Sequence, residues 1–563
     1  MRALDWGSAA ILLLFAAGLR IIGISYGHLN PEYFPSYAPY GMTHEQLPIQ
    51  PDEFFNVSIP VNMALRNRRN PEFFNYPSFI INTNFVLFRL TGSLDGLSFA
   101  EREGRNLRNF AAFPLYVFSR SYSVFGGLIA LACVYSICRI VAGRYAALCA
   151  GLLVAVCFTL VQHGHYIKPG SLATGWMMLA TWASVVALHS HRRAERERFY
   201  ALAGVFTGLA VTTRYNALAV APFVLAVGLI LLYRHRSPSM RRSILISWLA
   251  IPLVFFLGSP YILRDFDHFL HDVSYILGQY VSTGADVPDY FLVDHWTGMF
   301  YLLLSIPVFG VGLVATLCAG LALISAGRSL RDDQRLLHHS RLLVVGLIAL
   351  TIALYALVAL RTIRPLRSDH HVMLILPQVI ILSALGADWL VKRAKLPRRL
   401  AMPAIALLLV IQPLVLSLQF VKMLSQPDTR QLMLEWIHAN TPARSRFFLN
   451  GPYNVPLDEA IYPNAAQYLA YAPALPSGDQ YDYLIYSDAL AFDIIRSVGI
   501  VPPDIIQEQH SYLAALDARF ARVAEVRRPR WLGSEAIMYS ASYWHNPTLI
   551  LYCLNAQSCD NHR

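Results

Sequence analysis

Asp52 and Glu53 stand side by side, just after the first apolar run (8–27) of a chain that otherwise reads as built to stay in a membrane. Acids near lipid are expensive to hold, so such a pair is a functional-site hypothesis by default. A positioned carboxylate can take the proton from a hydroxyl and make it a competent nucleophile. There is also a plain structural reading. Pro51 suits the first turn of a helix, and acids there meet the positive helix end. Both readings put the pair at the start of a helix that continues as VSIPVNMALR, amphipathic enough to lie along the interface.

The elements that must position this pair follow from composition. Of 563 residues, 55% are hydrophobic and only 14% charged, where a soluble domain carries nearer a quarter charged. Mean hydropathy is +0.42. Crossing about 30 Å of hydrocarbon takes about 20 apolar residues. Eleven segments qualify: 8–27, 113–138, 145–162, 171–190, 199–214, 216–233, 243–258, 298–325, 342–360, 371–391 and 400–420. Those between 199 and 233 are short and read as two helices or one re-entrant pair. Arg20 lies inside the first run and Tyr26-Gly27-His28 is a poor cleavage site, so that run is expected to stay rather than be removed as a signal.

The loops 139–144, 191–198, 234–242, 326–341 and 392–399 hold two, four, four, four and five lysines and arginines, 19 in all. The positive-inside rule makes these cytoplasmic and places 28–112, 163–170, 259–297, 361–370 and 421–563 outside. The +11 net charge is mostly this collar. Its partner is anionic membrane lipid, and no folded basic domain supports nucleic-acid binding.

The expected fold is a polytopic α-helical membrane domain, 1–420, with a first outer loop at 28–112, followed by a soluble α/β domain, 421–563. In the latter, Asp428-Thr429 reads as a helix start. SRFFLNG, YDYLIYS and TLILYCL read as buried strands, with helix-like stretches near 489–498 and 509–520. Cys133, Cys138, Cys149, Cys157 and Cys318 lie in spans as packing residues. Cys553 and Cys559 could pair in an oxidising compartment, although two cysteines alone do not decide it.

The run PDE, then NPEFFNYPSF about twenty residues on, resembles the first external loop of membrane glycosyltransferases of the GT-C superfamily. It is most similar to the bacterial protein-O-mannosyltransferase-like and aminoarabinose-transferase-like enzymes, glycosyltransferase family 39 in the broad sense. RSYSVFGGLIALACVYSICRIVAGRYAALCAGLLVA resembles that family's second and third spans. QHGHYIKPGS resembles its second outer loop, and GLAVTTRYNALAVAP its GLA-x-x-x-Lys/Arg-Tyr-Asn block. TRQLMLEWIHANTPARSR, YDYLIYS and TLILYCL resemble the soluble tail of bacterial members.

The resemblance implies transfer of a sugar from a polyprenyl-phosphate or dolichyl-phosphate carrier to an acceptor hydroxyl on a glycan, lipid or protein, at the extracytoplasmic face and with inversion. The chemistry agrees. One base suffices for direct displacement, whereas hydrolases need two flanking carboxylates because they also protonate the leaving oxygen. A phosphate leaving group needs only positive charge nearby. Asp52 is the expected base, with Glu53 as its orienting partner or as the base itself. Lys168, Arg214, Arg364 and Arg367 are the expected phosphate contacts, Arg214 and Arg367 foremost.

Each has a plainer reading. Lys168 would snorkel, Arg214 would cap a turn, and Arg364 and Arg367 would meet lipid headgroups. His163, His165, Tyr166, Tyr76 and His370 are candidate substrate contacts, with satisfied structural histidine as the competing reading. Asp369, His370 and His371 invite a divalent-cation reading, but adjacent helical histidines point apart. No cofactor is certain.

Two positions depart from the family. Gly170 stands where members often carry aspartate, and Asp369-His370-His371 where they often carry Arg-Tyr. A flippase or lipid-linked-sugar transporter is the main rival and calls for discontinuous helices and repeated halves. A non-catalytic scaffold of the same shape is the other.

Overall fold

The computed structural model describes residues 4–27, 51–92, 113–281, 295–332, 340–362, 369–395, 397–451, 454–458, 461–468, 475–488, 503–527 and 546–560. Two compact units divide the chain. One gathers Met1–Ile22, Arg66–Leu90 and Ser119–Leu418, and the other Gly23–Leu65, Thr91–Phe118 and Gln419–Arg563. The segment 28–112 is thus divided between them.

The first unit is helical. It contains α1 (Leu4–Ile21), α3 (Phe79–Leu90), most of α4 (Phe113–Val141), α5 (Arg144–Val156), α6 (Phe158–Gln162), α7 (Pro169–His189) and α8 (Arg193–Thr213). Then follow α9 (Ala221–His235), α10 (Pro238–Gly258), α11 (Phe266–Val281), α12 (His295–Ser305), α13 (Leu313–Asp332), α14 (Ser340–Val358), α15 (Leu376–Arg393) and most of α16 (Arg398–Leu424).

Each of the eleven apolar segments contains a helix, but the count of clear spans is smaller. Among the described residues, six helices are long and apolar enough to cross a membrane, or eight if two bent pairs each count as one. Segment 199–214 is the C-terminal part of α8, whose first turns carry Arg193, Glu195, Arg196, Glu197 and Arg198. α15 ends in Asp388, Lys392 and Arg393. Segments 199–214 and 216–233 are two helices, joined by a 3-10 turn over Tyr215–Val220. Segment 298–325, read as one span, is bent by 118° between Trp296–Gly310 and Leu313–Ser329. Pro307 lies in a π turn there and Gly312 takes φ +91°, a conformation that favours glycine.

Small residues set the helix spacing. A Cβ on Gly175 of α7 would lie 2.7 Å from the Gly126 carbonyl oxygen of α4, so these two backbones pack with nothing between them. The α5–α6 pair bends by 55° at Cys157. The break frees carbonyls that a continuous helix would use. Arg20, fully buried, donates to Val154 O at 3.2 Å and Ala155 O at 3.1 Å, and Ser417 Oγ donates to Val156 O at 2.9 Å.

The second unit holds α2 (Pro51–Leu65), α17 (Thr429–Asn440) and a five-stranded sheet. Its strands are β1 (Phe447–Asn450), β2 (Ala466–Tyr468), β3 (Tyr483–Ser487), β4 (Ala521–Val526) and β5 (Leu549–Cys553), in the order β2-β1-β3-β5-β4. β1 is parallel to β2 and β3, and β5 is antiparallel to β3 and β4. Asp428 caps α17 by accepting from Arg430 N at 2.9 Å.

The central strands are buried on both faces, which is why they read as continuous apolar runs. Phe447, Leu449, Tyr483, Ile485, Leu549 and Leu551 pack with Met433, Leu434 and Ile437 of α17. Phe448, Leu484, Tyr486, Ile550 and Tyr552 pack with Leu516 of the helix Pro503–Arg519. That helix answers the expectation near 509–520, whereas 489–498 lies outside the described residues. Cys553 and Cys559 form a disulfide. The five span cysteines are free and buried.

Candidate active site

The acidic pair lies in the second unit. Asp52 and Glu53 occupy the first turn of α2, with Pro51 as its first residue, as the preference of proline and acids for that turn requires. The two acids differ in setting. Glu53 is fully buried and accepts a hydrogen bond from Tyr26 Oη at 3.2 Å. Asp52 is half-buried, and its backbone carbonyl accepts from Asn56 Nδ2 at 2.9 Å. Tyr26 carried no signal of this role in the sequence, since it closes an apolar run.

The basic candidates lie in the first unit. Lys168, buried, immediately precedes α7. Arg214 follows α8, where its backbone N–H closes on Ala210 O at 2.9 Å. Its side chain turns to the 3-10 turn Asp369–Leu374 and meets His371 Nδ1 at 3.1 Å. That turn is held by Tyr355, whose hydroxyl donates to His371 O at 2.7 Å and accepts from Asn216 Nδ2 at 3.1 Å. His163 is buried, its ring 6.0 Å from His370 and 5.5 Å from Tyr166, and both of its ring nitrogens lack a partner among the described residues. Buried polar atoms are nearly always hydrogen-bonded, so a bare imidazole in a basic cluster marks room for a polar ligand.

Gly170 explains one departure from the family pattern. A Cβ there would overlap Met373 Cε and lie 2.7 Å from Arg214 Nη1. The guanidinium occupies the space that a side chain at 170 would need. Gly170→Asp is therefore expected to pull Arg214 from His371 and to weaken binding of a phosphate anion at the cluster by about tenfold or more, the worth of one charge-assisted hydrogen bond. Titrating the purified variant with polyprenyl phosphate checks this, and unchanged affinity would show that Arg214 need not stand where it does.

His165 is placed differently from the cluster. Its ring nitrogens lie 2.9 Å from Val161 O and 3.0 Å from Ile22 O, both backbone carbonyls. Tyr76 packs edge-on against Phe73 in a segment pinned from several sides. Asn70 Nδ2 donates to Asp265 at 2.7 Å, Phe74 N to Asp272 at 2.6 Å, and Tyr215 Oη to Phe74 O at 3.1 Å. Tyr215 adjoins Arg214, so one short stretch serves both the loop and the cluster. Arg364 and Arg367 lie outside the described residues.

The rings of His370 and His371 are 4.2 Å apart and tilted by 34°. Among the described residues, no three His, Cys, Asp or Glu side chains gather in a way that could hold a metal ion. What the cluster of Lys168, Arg214, His163, His370 and His371 can do without one is bind an anion.

Residues 110–263 match the family model described as dolichyl-phosphate-mannose-protein mannosyltransferase. His163, Lys168, Gly170 and Arg214 fall inside that stretch. No curated protein matches the sequence. Solved structures similar to the chain include ArnT from Cupriavidus metallidurans bound to undecaprenyl phosphate, at 14% identity and TM-score 0.49, covering 99% of both chains. Others are the oligosaccharyltransferase AglB from Archaeoglobus fulgidus with an inhibitory peptide and a dolichol-phosphate, at 13% identity and TM-score 0.47, covering 96% of this chain and 77% of that one, and the Archaeoglobus fulgidus oligosaccharyltransferase complex with Zn and sulfate, at 11% identity and TM-score 0.46, covering 88% and 70%. By the family model over 110–263 and by the order of its motifs, the chain is similar to the GT-C superfamily of membrane glycosyltransferases.

Proposed function

We propose that the protein is a membrane glycosyltransferase that moves a sugar from a polyprenyl-phosphate carrier to an acceptor hydroxyl at the extracytoplasmic face, with inversion. The observation that carries this reading is the cluster of buried Lys168, His163 and His371 with half-buried Arg214, three of the four within the segment matched by the mannosyltransferase model. In a low-dielectric site such donors stabilise the charge that develops on a departing phosphate.

In the proposed reaction Asp52 takes the proton of the acceptor hydroxyl as its oxygen attacks the anomeric carbon. The bond from that carbon to the phosphate oxygen breaks, and its electron pair leaves with the carrier phosphate. Glu53, held by Tyr26, orients Asp52 and α2. Arg214 and Lys168, with Arg367 and Arg364, hold the phosphate. His163 and His370 meet the phosphate or the sugar. The domain at 421–563 recognises the acceptor, on the same side of the membrane as the site, which the arginine collar makes the outside.

Incubating purified protein with a panel of labelled polyprenyl-phosphate sugars tests the reading, with sugar transfer to endogenous acceptor or slow release to water expected for one of them. Arg214→Ala is expected to raise the donor concentration needed for half-saturation by about 10- to 100-fold, the range for losing a charged hydrogen bond. Lysine should rescue only in part, because a point charge lacks the guanidinium fork. Wild-type donor saturation in the alanine variant would reduce Arg214 to a turn cap.

The transport reading has one observation on its side, the two broken helix pairs. It predicts carrier movement across a vesicle bilayer without acceptor and without breakage of the sugar–phosphate bond.

A further inference from the structure

Asp388 near the end of α15 is fully buried and has three cations around its carboxylate. Lys392 Nζ lies 2.8 Å away and Arg341 Nη1 3.5 Å away, and Arg398 also bonds it. Arg341 further donates to Leu385 O at 3.2 Å. One carboxylate cannot balance three cations, so among the described residues the cluster keeps a formal surplus of two positive charges. The cations are not sealed in: Arg341, Lys392 and Arg398 keep 33%, 45% and 38% of their side-chain surface exposed. The inward edge of Arg398 is bare, since its Nε is buried with no partner among the described residues. A simple helix-end staple would match one acid to one base. An excess of partly exposed cations over carboxylates is the arrangement that meets a phosphate, and guanidinium groups often do so in bidentate fashion.

Position decides what carries that phosphate. Arg341 and Arg398 open two candidate spans, long and apolar enough to cross the membrane, so the cluster sits at the ends of spans, where headgroups lie. From Arg398 and Arg399 onward, α16 exposes Leu400, Leu407, Leu408 and Ile411, each between 54% and 74%. Positions 400, 407 and 411 share one helix face. A basic seat at the head of an exposed apolar face fits an amphiphile with a phosphate at one end and acyl chains at the other.

We propose that Arg341, Lys392 and Arg398, organised by Asp388, form a binding site for the headgroup phosphate of an anionic phospholipid. The site is separate from the cluster at Arg214 and does not depend on the transferase reading. It also differs from a diffuse attraction between a basic collar and the bilayer, because it is built on one buried acid and takes one lipid.

The test uses the full chain in neutral detergent, with native mass spectrometry to count retained lipid and thermal unfolding to follow its effect. Phosphatidylglycerol is expected to be retained at one copy and to raise the unfolding midpoint. Phosphatidylcholine and inorganic phosphate should do neither. Lys392→Gln with Arg398→Gln is expected to weaken phosphatidylglycerol binding by about fivefold for each cation removed. Arg241→Gln with Arg242→Gln, which removes two exposed charges from the start of α10, should leave it unchanged.

Equal weakening in both double variants would show a diffuse collar and overturn the site. Equal stabilisation by inorganic phosphate would show an anion site without lipid. Should the Lys392/Arg398 double variant not fold, Lys392→Gln alone carries the test, and undiminished lipid retention in it would overturn the proposal.

Discussion

Asp52→Asn is expected to abolish transfer while leaving the folded protein almost as stable as before. Removing a general base lowers a rate by about 10²–10⁴. Asparagine keeps the size of the side chain and the backbone contact to Asn56. Losing one acid from the first helical turn costs only about 0.3–1 kcal/mol. Glu53→Gln makes the contrast. Glu53 is fully buried against Tyr26, so its change should lower both the unfolding midpoint and the rate. Single-turnover transfer with saturating donor, read beside thermal unfolding, separates the two. Full activity in Asp52→Asn together with a dead, well-folded Glu53→Gln would exchange their roles. Full activity in both would remove the pair from the chemistry and leave them as helix-end acids.

Local signals in the chain suffice where one element decides the outcome. Pro51-Asp52-Glu53 opens α2, Asp428 caps α17, and three apolar runs became the three central strands, because caps and two-sided burial act over a few residues. What failed was direction and distance. Hydropathy sums over 298–325 and cannot see the 118° turn inside it, although Pro307 and Gly312 were there to be weighed. β2 is three residues long, and β4 is an edge strand with Arg522 and Glu525 on its exposed side, so neither shows the apolar run that marked its neighbours.

The same limit applies to the candidate site. Lys168, Arg214 and the histidines could be named from residue type and from the family resemblance. Their grouping could not, because Arg214 meets His371 across 157 residues of sequence. Nor could the sequence show that Asp265 and Asp272, nearly 200 residues downstream, pin the loop at Asn70 and Phe74. Gly170 read only as a missing aspartate. Its meaning appears once the guanidinium of Arg214 is seen in the space a side chain would take.

Arg20→Met should be strongly destabilising. The side chain is fully buried in an apolar helix, where a charge is tolerated only with partners. Its partners are carbonyls. The chain is extended at Cys157, with φ −58° and ψ 114°, so α5 ends there, and Cys157 O starts α6 by accepting from Val161 N. Val154 O and Ala155 O lie just before the break, and Arg20 donates to both. The slot is shaped for it: a Cβ on Gly127 would come 2.8 Å from Arg20 Nε, and one on Gly164 3.0 Å from Cγ. Methionine fills the volume and satisfies neither carbonyl. Two charged hydrogen bonds at about 1.5–3 kcal/mol each put the loss at about 3–6 kcal/mol. Ser417→Ala, which bares only Val156 O at the same break, should cost about 1 kcal/mol. Lysine at position 20 can reach one carbonyl and should fall between the two. Thermal unfolding of the three variants in one detergent gives the order directly. If Arg20→Met unfolds no earlier than Ser417→Ala, the break in α5–α6 is held by packing alone, and the buried arginine must be kept for something other than the fold.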